Sequence, residues 1–259
     1  MVTRRHRWRP VSEPAFLKPF LRYYGGKWRA APHYPAPKHG MIIEPFAGAA
    51  GYSLRHYRHR VVLIEKYDVI VEIWRYLIRT SAAEILAIPT VDHVDELPAW
   101  VPQAARWLVG FAMNAATAVP CKQLSSGRKR MREQNRKFEG WSPAMRERVA
   151  SQVEHIRHWI VIQGEYHCTN TNIPITWFID PPYQVAGIHY KHSSRDLDFD
   201  VLGDWCRSRR GQTIVCENDG ATWLPFEQFL DIPAGAMNKS AVRSRAGKSA
   251  EAIWYQECA

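Results

Sequence analysis

Apolar residues along this chain cluster in two distinct ways. Met41-Ile42-Ile43, Val61-Val62-Leu63-Ile64, Ile160-Val161-Ile162, Ile175-Thr176-Trp177-Phe178-Ile179 and Thr213-Ile214-Val215-Cys216 are short apolar runs of strand length. Such runs predict short strands, and those at 41–43, 61–64 and 175–179 read as buried in a sheet. From Asp68 to Thr80, by contrast, Val69, Ile70, Ile73, Trp74 and Leu77 recur at the spacing of one helical face. Trp100 to Asn114 reads as one apolar helix. Ser142-Pro143 starts another, with serine as N-cap and proline at the first helical position. That helix is expected to reach about Trp159, with Met145, Val149, Val153, Ile156 and Ile160 on one face. Strand, turn, strand and helix in this order predict an α/β sheet.

The middle of the chain differs from both ends. Pro89, Pro98, Pro102 and Pro120 punctuate it, and Cys121 to Trp141 is strongly basic. Lys122, Arg128, Lys129, Arg130, Arg132, Arg136 and Lys137 stand there against Glu133 and Glu139. The expected organisation is a basic arm over 1–17, a discontinuous α/β core over 18–80 and 151–259, and a mainly helical, basic insertion over 81–150.

Composition narrows the function classes. With 259 residues and 46% hydrophobic content, the chain can bury a substantial core, and general disorder is excluded. Lys+Arg 35 against Asp+Glu 25 gives a net charge of +10, which favours a polyanionic partner. Five cysteines without a CxxC pair suit neither a disulfide framework nor a zinc site, and the histidines lack metal-ligand spacing. No metal is expected, and a reducing cytoplasm is the expected compartment. The basic N-terminus is not followed by an apolar stretch, so no signal peptide is expected. The uncharged stretch Trp107 to Cys121 falls short of the roughly 20 residues of a membrane span.

The chemistry centres on Asp180-Pro181-Pro182-Tyr183, which directly follows the Ile175–Ile179 run. The prolines stiffen the backbone and lack N–H groups that would compete for nearby acceptors. A planar amine can donate one hydrogen to Asp180 and one to the Pro181 carbonyl while Tyr183 stacks on its ring. The same four residues also serve as an ordinary turn out of a strand. Upstream, Glu44-Pro45-Phe46-Ala47-Gly48-Ala49-Ala50-Gly51 follows the first strand and has the small residues of a close backbone approach to a ligand. It lacks the Lys-Ser/Thr ending of a phosphate-binding loop. Glu65 ends the second strand, where α/β nucleoside binders grip ribose hydroxyls. Tyr23-Tyr24-Gly25-Gly26-Lys27 adds a tight turn and a point charge suited to a carboxylate.

Taken in order, these segments resemble the Dam-type N6-adenine-specific DNA methyltransferases, and the resemblance spans most of residues 18–225. It implies a Rossmann-like S-adenosylmethionine-dependent methyltransferase sheet with a small helical insertion. It implies cofactor contacts at Tyr23 and Lys27 for the methionine end, at Glu44, Pro45, Phe46 and Gly48 in the loop, and at Glu65 for the ribose. Glu165-Tyr166 would flank the cofactor's adenine, and Asp180, Pro181, Pro182 and Tyr183 would be the catalytic motif. Glu251 to Tyr255 is similar to the family's closing strand. The basic segment occupies the place of the target-recognition elements, so double-stranded DNA is the expected partner. The family's loop usually reads Phe-x-Gly-x-Gly, whereas Ala50 stands here at the second glycine with Gly51 next. Three alternatives stay open: N4-cytosine transfer through the same amine pocket, adenine methylation of RNA, and a non-catalytic nucleic-acid-binding relative.

Overall fold

The computed structural model describes residues 14–114, 117–134, 140–169, 171–233 and 248–258. Seven strands form one sheet: β1 (Met41–Glu44), β2 (Arg60–Glu65), β3 (Ile160–Gln163), β4 (Ile175–Ile179), β5 (Gly211–Asn218), β6 (Glu227–Pro233) and β7 (Lys248–Cys258). Their order is β3-β2-β1-β4-β5-β7-β6. The first five are parallel, and β7 runs antiparallel to both its neighbours. The predicted strands are all present, and the chain is an α/β protein with a mostly parallel, mixed sheet.

Side chains alternate between the two faces with period two, as the pleat requires. Ile42, Leu63, Phe178 and Ile214 join one apolar cluster, while Ile43, Ile64, Ile179 and Val215 join the other. The first face is covered by α1 (Asp68–Arg79), α2 (Ala82–Ala87), α3 (Gln103–Met113) and α5 (Pro143–Ala150). Val69, Ile70, Ile73, Trp74 and Leu77 of α1 are all buried there, as the periodicity predicts. Ile85, Leu108, Phe111 and Val149 belong to the same cluster as Ile42 and Leu63, so α2, α3 and α5 share the core of the sheet. The second face is covered by α6 (Phe199–Arg207), which buries Leu202 and Cys206. A further helix, α4 (Ser126–Glu133), lies in the basic segment.

Two expectations need correction. The helix begun by Ser142 ends at Ala150, not near Trp159. Ser151 turns its hydroxyl back onto the Arg148 carbonyl (3.0 Å), and the Gln152 amide side chain brackets the Lys18 backbone at 2.6 and 3.2 Å. This tertiary pairing breaks the helix, and a 3₁₀ turn over Val153–Ile156 buries Val153 and Ile156 instead. Ile160 is 56% exposed and opens β3. The apolar helix read from Trp100 begins at Gln103, because Pro102 supplies its N-cap and leaves Trp100 outside. Of the expected N-terminal arm, residues 1–13 lie outside the described residues, and 14–17 are docked. Leu17 is fully buried, its N–H donates to the Leu54 carbonyl (2.9 Å), and the Tyr57 hydroxyl donates to the Pro14 carbonyl (2.8 Å).

Among the described residues no helix is long and apolar enough to cross a membrane.

Candidate active site

The sheet has a switch point between β1 and β4. From β1 the chain moves outward through β2 to β3, and from β4 it moves the other way to β5. In open α/β sheets the crevice beyond the carboxyl ends of the strands at such a point is where ligands bind. A cavity of about 280 Å³ opens there, lined by the segments after β1, β2 and β4 and by the Tyr23–Lys27 turn.

The loop after β1 forms one wall. Gly48 has φ +45° and Ala50 has φ +49°, so both sit in the left-handed region. Ala50 thus adopts a backbone shape that favours glycine, at a cost of about 1–2 kcal/mol for its Cβ. The loop is pinned on several sides. Glu65 accepts from the Gly48 N–H through Oε2 and from the Tyr67 N–H through Oε1, both at 2.9 Å. Trp74 on α1 donates its indole N–H to the Gly48 carbonyl at 2.9 Å. Glu44, 3% exposed, accepts from the Ser53 N–H at 2.6 Å and closes the loop on itself. Burial pushes the Glu44 carboxyl up to about 8 against the effect of the Ser53 bonds, with Asp180 adding to the rise. Burial also raises Glu65, opposed by the backbone N–H groups it accepts from.

A second wall is aromatic. Tyr23 packs edge-on to Phe111 of α3 (5.7 Å between centroids) and tilts against Tyr190 (6.0 Å). Phe46 and Tyr166 stack at 5.6 Å and 23°, and Trp205 of α6 meets the Tyr166 edge at 5.0 Å. Glu165, next to Tyr166, pairs with Lys66 at 2.7 Å near the surface, which draws its carboxyl below the usual range.

The floor joins the two halves of the site. Lys27 is 8% exposed, and its Nζ lies 3.0 Å from Asp180 Oδ1, 3.1 Å from the Gly25 carbonyl and 4.5 Å from the centroid of the Tyr183 ring. Burial alone would push the ammonium down; Asp180 and Glu251 outweigh it and hold Lys27 protonated. Burial pushes Asp180 up to about 6, with Lys27 opposing and Glu251 and Glu217 reinforcing the rise. At neutral pH Asp180 is a carboxylate and Lys27 its counter-ion.

The structure therefore gathers Tyr23, Lys27, Glu44, Pro45, Phe46, Gly48, Glu65, Glu165, Tyr166, Asp180 and Pro182 around one cavity. Pro181 is buried, and neither it nor Tyr183 lines the cavity. Tyr183 instead donates its hydroxyl to Glu251 Oε2 at 2.5 Å. Sequence reasoning missed Glu217, fully buried on β5, which accepts from the Gln184 N–H and the Trp223 indole, each at 3.0 Å. It also missed Tyr190, His192 and Asp198 in the cavity wall, which follow the motif in a segment without apolar periodicity.

Of the basic residues, Lys122 and Arg130 are exposed, and Arg128 and Lys129 partly so; Arg128, Lys129, Arg130 and Arg132 fall on α4. Arg136 and Lys137 lie outside the described residues. The segment leading into α4 is stitched to the cavity wall, since the Tyr24 N–H donates to the Thr117 carbonyl (3.2 Å) and Tyr23 bridges Thr117. Among the described residues no cluster of His, Cys, Asp or Glu is arranged to hold a metal ion. All five cysteines are thiols. Compared with known proteins, the chain matches no protein-family model and no curated protein.

Proposed function

We propose that the protein transfers a methyl group from S-adenosylmethionine to N6 of an adenine flipped out of double-stranded DNA. The observation that carries this reading is the Asp180 carboxylate at the end of β4, beside the switch point and sharing one cavity with Lys27, Glu65 and the Gly48 loop. The residues fit the cofactor. An ammonium has three hydrogens; Lys27 uses two on Asp180 and Gly25, which leaves one for the carboxylate of a methionine moiety. Glu65 accepts backbone N–H groups from Gly48, Lys66 and Tyr67, which leaves acceptor capacity on the carboxylate for a ribose hydroxyl. Phe46 and Tyr166 would bound the adenine, and the Gly48 loop allows close approach.

When bound, S-adenosylmethionine supplies an electrophilic methyl group on a sulfonium. Lys27 engages Asp180 Oδ1, so Oδ2 is the acceptor for one hydrogen of the target amine, and the Pro181 carbonyl is the acceptor for the other. These bonds draw the amine towards tetrahedral geometry and stabilise the positive charge that develops on nitrogen. The amine nitrogen would receive the methyl group that the bound cofactor supplies, and Asp180 would accept the departing proton and pass it to water. A carboxyl pushed up to about 6 suits both roles. The Tyr183 ring offsets part of the few kcal/mol that unstacking the base costs. The basic residues of α4, one segment away from the Tyr23–Tyr24 wall, supply phosphate contacts.

The test is transfer of labelled methyl groups to unmethylated genomic DNA, followed by sequencing that identifies modified bases. N6-methyladenine at a recurring site is the expected product. N4-methylcytosine would transfer the chemistry to the other base, and cofactor binding without transfer would leave a nucleic-acid-binding protein.

A further inference from the structure

Glu251 is the fourth residue of β7 and is 6% exposed. A glutamate is seldom so deeply buried. It lies opposite Asn218 of β5 and Leu230 of β6, so its backbone is paired on both sides. Because β7 runs against β4 and β5, its first residues reach the edge where those strands end. There Oε2 receives the Tyr183 hydroxyl at 2.5 Å. Tyr183 itself stands on a stretch without regular structure. The two prolines before it stiffen its backbone but do not orient its ring.

Resting on the methyl-transfer reading above, we infer that Glu251 is a positioning residue, a rigid acceptor that fixes the Tyr183 ring as the platform for the flipped base. Its charge has a second consequence. Asp180 is faced by Lys27 from the glycine turn, Glu44 from β1, Glu217 from β5 and Glu251 from β7. The β7 charge opposes ionisation of Asp180 and favours protonation of Lys27. Glu251 thus acts on both the orientation of the platform and the pH at which the acceptor becomes available.

The test compares wild type with Glu251→Ala, Glu251→Gln, Tyr183→Phe and the Glu251→Ala/Tyr183→Phe double variant, on unmethylated genomic DNA at saturating cofactor. Calorimetry gives the cofactor Kd of each. Glu251→Ala and Tyr183→Phe are each expected to lower kcat about tenfold or more, as misplacement of a reacting group does. The double variant should lose no more than the worse single one, since both remove the same hydrogen bond. Glu251→Gln keeps an oxygen acceptor, so its kcat should stay within about threefold while the acid limb of its pH profile moves to lower pH. Cofactor Kd should be unchanged throughout. Wild-type kcat in Glu251→Ala, or multiplying losses in the double variant, would overturn the positioning role. An acid limb that does not move in Glu251→Gln would overturn the charge effect. A wild-type protein that binds cofactor and methylates no DNA would overturn the proposed function, and this role with it.

Discussion

Lys27 and Asp180 form an ion pair with Nζ 3.0 Å from Oδ1, their side chains 8% and 19% exposed. One comes from the glycine turn and the other from the end of β4, so this contact ties two separate walls of the cavity together. Replacing Lys27 by Met keeps the aliphatic stem and removes the charge. Breaking a buried pair costs about 3–5 kcal/mol, and the partial exposure of Asp180 places this case at the low end. Asp180 also loses the group that holds it down, so the acid limb of activity should move above the wild-type position near pH 6. Thermal unfolding and a pH–rate profile of Lys27→Met check both effects.

Asp180→Asn tests the acceptor itself. The wild-type carboxyl is pushed up to about 6, so it is protonated below that pH and ionised above it. Activity should therefore rise as pH passes through about 6. The amide keeps the shape of the side chain but carries no charge to match the developing positive nitrogen. A fall of about 10²–10³ in kcat is expected, with the acid limb lost and the cofactor Kd changed little. Full activity in this variant would remove Asp180 from the mechanism.

Glu44 carries a different pH dependence. Burial raises its folded-state value from 4.5 to about 8, so the folded protein holds this proton more tightly than the unfolded chain does. The stability it contributes is fully present below about pH 4.5 and is lost as pH rises through about 8. Glu44→Gln removes the titrating group while retaining an oxygen for the Ser53 N–H. Its unfolding free energy should vary less between pH 5 and pH 8 than that of wild type, as chemical denaturation at several pH values would show.

The sheet was legible because β1, β2, β4 and β5 are buried on both faces and so read as apolar runs. Elements placed by tertiary contacts were not. The break after Ala150 depends on Gln152 meeting Lys18, a contact that no local pattern carries. Helix α6 is capped by Asp198 and short, and β6 lies at the sheet edge, so neither has enough periodic signal. The candidate site divides in the same way. Asp180, Glu65 and Gly48 were legible because they end or follow strands, whereas Glu217 and Glu251 point inward from strand interiors where carboxylates are unexpected. Ala50 is the opposite case: an alanine gives no signal of a left-handed backbone, yet the chain adopts one there.

Helix α4 offers a test of the expected DNA partner. Arg128, Lys129 and Arg130 are at least partly exposed, so changing all three to Gln should leave the core and its unfolding temperature intact. For every phosphate that is no longer neutralised, the slope of log K against log salt should shrink by about 0.9. A flatter salt dependence of duplex binding, measured by fluorescence anisotropy from 50 to 200 mM salt, is the expected result. An unchanged slope would place the phosphate-binding residues elsewhere.

Gly51 fixes the distance between the loop after β1 and the glycine turn. A Cβ built there would lie 2.5 Å from the Trp28 nitrogen, 2.9 Å from the Lys27 carbonyl carbon and 3.1 Å from the Lys27 nitrogen. These are backbone atoms, so no side chain can swing aside, and the turn carrying Lys27 has to move. Overpacking of this kind costs about 1–3 kcal/mol, and here it acts on the residue that pairs with Asp180. Gly51→Ala should therefore lower the unfolding temperature, weaken cofactor binding and reduce kcat together. Gly40→Ala is the matched control, because a Cβ there meets nothing within 4 Å. If Gly51→Ala keeps wild-type cofactor affinity while Gly40→Ala behaves as expected, then the close approach of the two loops does not set the position of Lys27.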